Sequence, residues 1–201
     1  HLESVHGRQL RRGNPDVATC VDCHSDDQTP HSVKRVLAYE APAYRKNIAQ
    51  TCGRCHGDPK LMERYGIVEK IYESYMNTFH GKAMQLAPSV ALAQLNKATC
   101  TNCHGTHNIV RHEDPRSPVA GMEALAKTCE QCHQGAGENF AAGFLGHREA
   151  SLEHQPAVFV TERFFLVFTT GVLAFGFATV GLDILRWLMN RGRRRSPWER
   201  L

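Results

Sequence analysis

Two regimes of apolar patterning divide the chain. Before residue 157 large aliphatic residues are sparse, and apolar positions recur at helical spacing only in short stretches. The clearest stretch is 60–79, where Leu61, Met62, Tyr65, Tyr72, Tyr75, Met76 and Phe79 alternate with Lys, Glu and Arg. This predicts a helix that ends by presenting His80, with Gly81 as its stop. Residues 121–133 predict a second helix, and Asp114-Pro115-Arg116-Ser117-Pro118 a turn or loop. No period-two alternation predicts a strand. From Phe164 to Leu182, by contrast, 19 residues pass without a charge, enough to cross a bilayer as a helix. The pattern therefore predicts a mostly α and irregular domain over 1–156, a transmembrane helix over 157–190 and a basic tail over 191–201.

The net charge of +4 is not spread evenly. Up to Arg163 basic and acidic residues cancel, 18 against 18, and the surplus lies in Arg186, Arg191, Arg193, Arg194, Arg195 and Arg200. No basic stripe of the kind nucleic acid requires is present. An arginine cluster after an apolar span predicts a cytoplasmic C-terminus, with the preceding domain on the periplasmic side of the inner membrane. Within the span Gly171, Ala174, Ala178 and Gly181 fall on one helical face, where a second membrane helix could approach closely. The span holds no histidine, so it offers no imidazole to a haem within the bilayer.

The first domain is too poor in aliphatic residues to organise itself around an ordinary core, and must depend on disulfides, metals or a bulky cofactor. Its 8 cysteines and the chain's 12 histidines indicate which. Every cysteine lies in a C-x-x-C-H pattern: Cys20, Cys23 and His24; Cys52, Cys55 and His56; Cys100, Cys103 and His104; Cys129, Cys132 and His133. In c-type haem attachment two thiols add to the two vinyl groups of one haem, and the adjoining histidine binds the iron. Zinc ribbons also use C-x-x-C pairs, but zinc does not require histidine directly after the second cysteine. Structural disulfides would not place every cysteine in such pairs. Four covalently bound haem c groups are therefore expected, with His24, His56, His104 and His133 as proximal ligands.

The remaining histidines are candidates for the sixth coordination position. An internal repeat ranks them. Val5-His6-Gly7, Ala18-Thr19-Cys20 and Thr51-Cys52 recur as Phe79-His80-Gly81, Ala98-Thr99-Cys100 and Thr128-Cys129, giving pseudo-repeats over about 1–78 and 79–150. His6 and His80 are equivalent. His107 follows His104 closely, His31 is its looser counterpart after His24, and His147 stands where a third His-Gly element would begin. Two registers fit. If each His-Gly element serves the haems that follow it, His6, His31, His80 and His107 suffice. If it serves a preceding haem, His31, His80, His107 and His147 suffice, and His6 belongs to a haem outside this sequence. An export signal is expected for such a chain, so the second register suggests additional sequence before His1. His1, His112 and His154 read as solvated residues, and Met84 as a gap-filler.

These motifs, with Cys103-His104-Gly105-Thr106-His107-Asn108-Ile109 and Asn139-Phe140-Ala141 leading to His147, resemble the multihaem c-type cytochromes of the doubled C-x-x-C-H type over nearly the whole chain. The resemblance implies closely spaced, bis-histidine, low-potential haems. It also implies electron shuttling between membrane quinone oxidoreductases and periplasmic or extracellular carriers, with the His-Gly histidines as distal ligands. Tetrahaem quinol dehydrogenases of nitrate and nitrite respiration carry their anchor at the N-terminus, whereas here it is C-terminal, so direct quinol oxidation is not carried over.

The expected function is an electron-transfer subunit and not itself an enzyme. It would dock through its membrane helix beside an integral redox subunit in a respiratory chain. The alternative is a haem subunit of a multihaem reductase, which needs one haem with an open site.

Overall fold

The computed structural model describes residues 1–67, 70–87, 96–144 and 146–193. The chain divides into two compact units, His1–Glu149 and Ala150–Leu201, a boundary several residues before the expected one at 156. Helices and turns make up the described residues. Their single ladder contact is an isolated bridge between Ser25 and Val33, and they contain no strand.

The first unit is built from short helices: α1 (Val5–Arg11), α2 (Cys20–His24), α3 (Ile48–His56), α4 (Pro59–Arg64), α5 (Ile71–Asn77), α6 (Phe79–Leu86), α7 (Cys100–His104), α8 (Gly121–Glu130) and α9 (Glu138–Ala142). The single helix expected over 60–79 is instead α4 and α5, with residues 68 and 69 outside the described set. A Tyr65-Gly66 turn closes α4, where both amides donate back to Met62 and Glu63 carbonyls. His80 does not end a helix. It is the second residue of α6, and Gly81 lies buried inside that helix. The helix expected over 121–133 ends at Glu130, and His133 follows on one further turn bonded to the Cys129 carbonyl at 2.9 Å.

The internal repeat is structural. Ser4 caps α1 by accepting from the Gly7 amide at 3.0 Å, and Thr78 caps α6 by accepting from the Gly81 amide at 3.2 Å. Such side-chain caps satisfy amides that the first helical turn leaves without partners. The chain enters both helices through the same turn, Ser4 N–H to His1 O at 2.8 Å and Thr78 N–H to Tyr75 O at 2.9 Å. This turn explains the glycine after each histidine. A Cβ on Gly7 would strike the His1 carbonyl oxygen and lie 2.7 Å from Leu2 Cα; on Gly81 it would strike the Tyr75 carbonyl oxygen and lie 2.7 Å from Met76 Cα.

The interior of this unit contains few large side chains. Among the described residues its buried apolar side chains are Ala41, Tyr44, Ala49, Met62, Met84, Ala87, Ala126, Ala136 and Ala141. Six of these nine are alanines, whereas Leu, Ile, Val and Phe normally dominate the buried set of a domain this size. Side chains of this size cannot supply the apolar burial that folding needs. Phe79, Leu86 and Leu37 are meanwhile more than four-fifths exposed.

The second unit is one helix, α10 (Pro156–Arg193), of 38 residues. It is long and apolar enough to cross a membrane, and none of its most apolar window is covered by protein. An arginine stacks on an aromatic ring one turn away near each end: Arg163 over Phe159 at 5.2 Å, and Arg191 over Trp187 at 4.8 Å. Aromatic and long basic side chains of this kind suit the two membrane–water interfaces. The part of the basic tail over 194–201 lies outside the described residues.

Two outcomes test this description. Gly81→Ala should lower the stability of the first unit by about 1–3 kcal/mol through overpacking against backbone, read by denaturant unfolding. Ending the chain after Glu149 should move the protein from a carbonate-resistant membrane fraction to the soluble fraction. Membrane association that survives this truncation would argue against α10 as the anchor.

Candidate functional site

The four C-x-x-C-H motifs use two kinds of local scaffold. In the first and third, the motif is itself a five-residue helix, α2 or α7, capped by the preceding threonine. The Thr19 amide donates to Asp22 Oδ2 at 2.7 Å, and the Thr99 amide donates to Asn102 Oδ1 at 2.9 Å. In the second, the motif ends a longer helix, α3, and in the fourth it runs over the end of one, α8; the approach to each helix is a run of consecutive turns. Amides of residues 38, 41 and 44 donate three residues back in one half, and those of 114, 117 and 120 do so in the other. The threonine before each of these motifs ties helix to turns: Thr51 Oγ1 donates to Pro42 O at 2.7 Å, and Thr128 Oγ1 to Pro118 O at 2.6 Å.

These scaffolds set each motif histidine opposite another histidine. His24 faces His107 with ring centroids 5.9 Å apart, and His56 faces His6 at 6.2 Å. His104 faces His147 at 6.0 Å, and His133 faces His80 at 6.1 Å. Metal–nitrogen bonds of about 2.0 Å on either side of one ion, plus two ring radii, also amount to about 6 Å. A direct contact between rings would not need this spacing to recur four times. Among the described residues no three His, Cys, Asp or Glu side chains converge as a metal site. None of the eight cysteines forms a disulfide. The residues fit an ion with two protein ligands whose other bonds come from a planar cofactor.

The set of facing histidines, His6, His80, His107 and His147, differs from both expected registers. Each register used His31, but all four motif histidines already have partners without it. His31 is exposed on the 3-10 turn Pro30–Ser32. The sequence following each odd motif explains the difference. After His104, Gly105 takes a φ of 79° and a ψ of −179°, a conformation open essentially to glycine alone, and His107 follows two residues on. After His24 the chain instead folds around the Asp27 carboxylate, which accepts from Ser25 Oγ, the Thr29 amide, Thr29 Oγ1 and Ser32 Oγ at 2.6–2.9 Å. His6, which the second register assigned to a haem beyond this chain, faces His56. The Val5 amide donates to Ile109 O at 2.7 Å, joining α1 to the segment that carries His107.

The four sites stand in file. Helix α2 packs on α3, α3 on α7, and α7 on α8. Cys23 neighbours Cys52 and Cys55, Cys52 neighbours Cys100, and Cys103 neighbours Cys129 and Cys132. The two central pairs are more enclosed than the terminal ones, where His107 and His133 are exposed. Burial lowers the pKa of His6, His56 and His80, and burial with His147 alongside pushes His104 down to about 4. The folded chain thus holds these imidazoles neutral, the form that binds metal.

Sequence reasoning missed three supporting side chains. Tyr75 donates its hydroxyl to Ala98 O at 2.9 Å, just before the third motif. Ser74 Oγ lies 3.0 Å from His147 Nδ1. Phe140 packs against His133 with ring centroids 5.0 Å apart. Tyr75 and Phe140 belong to stretches already read as carrying aromatic positions or the approach to His147, while nothing in the sequence marks Ser74. Compared with known protein families, characterised proteins and solved structures, the chain matches none.

Thr51→Val and Thr128→Val should each cost about 1 kcal/mol, the usual net worth of one hydrogen bond. Equilibrium unfolding would read the loss, and equal losses are expected because the two bonds are equivalent.

Proposed function

We propose that the chain is a membrane-anchored tetrahaem c-type cytochrome that relays electrons between a membrane redox complex, quinone-linked by resemblance, and periplasmic or extracellular carriers. The recurrence of one histidine–histidine spacing at all four C-x-x-C-H motifs carries this reading. Cys20 and Cys23, Cys52 and Cys55, Cys100 and Cys103, and Cys129 and Cys132 would hold the four haems as thioethers. The axial pairs would be His24 with His107, His56 with His6, His104 with His147, and His133 with His80. Bound there, each haem supplies a one-electron iron couple.

The chain's own residues account for the rest. With two imidazoles available at every site, each haem iron would be held by protein on both sides and would have no place for a substrate, which favours relay over a reductase with an open haem. The motif helices, packed in file, keep each site next to the following one, so no protein motion is needed between them. Helix α10 would anchor the assembly, with the arginine-rich C-terminus on the cytoplasmic side and the haem domain outside.

Haem quantification and low-temperature electron paramagnetic resonance on the oxidised, detergent-purified chain test the reading. Four haems per chain, all low-spin, are expected. A high-spin fraction that shifts with added nitrite or cyanide would instead indicate an enzyme. His6→Ala, His80→Ala, His107→Ala and His147→Ala should each convert one quarter of the haem to high spin, whereas His31→Ala should leave all of it low-spin. His80→Met should keep six-coordination and raise the potential of one haem only.

A further inference from the structure

The two central sites differ in what supports their imidazoles. Ser74 donates its hydroxyl to the Ile71 carbonyl at 2.9 Å, so the lone pairs of its oxygen are free toward His147 Nδ1 at 3.0 Å. With its one proton on the Ile71 carbonyl the hydroxyl accepts from a second neighbour, so an imidazole that binds metal through Nε2 can donate its Nδ1 proton to Ser74. At the adjacent site His56 Nδ1 is buried without a hydrogen-bond partner. A metal-bound imidazole whose other nitrogen donates a hydrogen bond becomes a stronger donor to its metal, and one that donates to nothing is weaker. The stronger donor stabilises the more oxidised ion.

We infer that Ser74 is a positioning residue that lowers the reduction potential of the haem held by His104 and His147, and so opens a potential step between it and the neighbouring haem held by His56 and His6. The inference rests on the proposed haem reading. In file order, an electron crossing the middle of the array then favours the His56 side. Ser74 lies on α5, outside every motif, and is joined to His147 across 73 residues of sequence, so it acts on the metal only through the imidazole.

The test is a potentiometric titration followed by electron paramagnetic resonance on the full chain and on Ser74→Ala, with haem per chain measured on both. Ser74→Ala should retain four haems and raise the potential of one, by about tenfold in its reduction equilibrium, or 59 mV for one electron. The signal that moves should be the one that turns high-spin in His147→Ala. Ser74→Cys, close in size and a weaker acceptor, should move the same haem in the same direction by less, and it covers the case in which the alanine variant does not fold. Four haems with unmoved potentials in either variant would overturn the inference and leave the haem reading intact. A purified chain without haem would overturn that reading, and this inference with it.

Discussion

Four gaps of about 6 Å between facing imidazoles govern the first unit. The segments that carry the rings are placed by backbone features: a threonine or serine cap, a helix entered through a tight turn, a threonine hydroxyl tying helix to turns. None of these relies on large apolar side chains, and the buried set is accordingly mostly alanine. A domain of this length that lacked both an aliphatic core and a cofactor would have little to set against the loss of chain entropy on folding.

The halves share parts but differ in how those parts are joined. His6 and His80 each serve the second motif of their own half, so these two pairs obey the repeat. The first motif of each half breaks it. His24 takes its partner from the other half, and His104 takes His147 from beyond α9. Duplicated caps and turns therefore coexist with unduplicated long-range pairs, and the latter make the unit one body rather than two linked copies.

Much of this was legible because it is local. Cysteine spacing, the uncharged run from Phe164 to Leu182 and the His-Gly repeat are all readable within a few residues, and the α10 span and the repeated α1 and α6 caps match them. What was not legible depends on distance in sequence. Helical spacing over 60–79 is real, but it does not reveal the Tyr65-Gly66 turn that interrupts it. His31 resembled His107 by position after a motif, yet a carboxylate at Asp27 draws its segment into a separate knot of hydrogen bonds. Both expected registers included His31, whereas the four histidines that face the motif histidines are His6, His80, His107 and His147. The serine beside His147 belongs to an unremarkable helix and becomes visible only when the chain has folded.

The pairing of His24 with His107 has a consequence for how the protein is made. A chain that folds from its N-terminus forms the first motif before residue 107 is available, and the long loop joining His24 to His107 is slow to close. His24 therefore spends the interval without its partner, while His56 already has His6 at hand. In such a chain the second histidine pair forms before the first, so pairing does not follow sequence order.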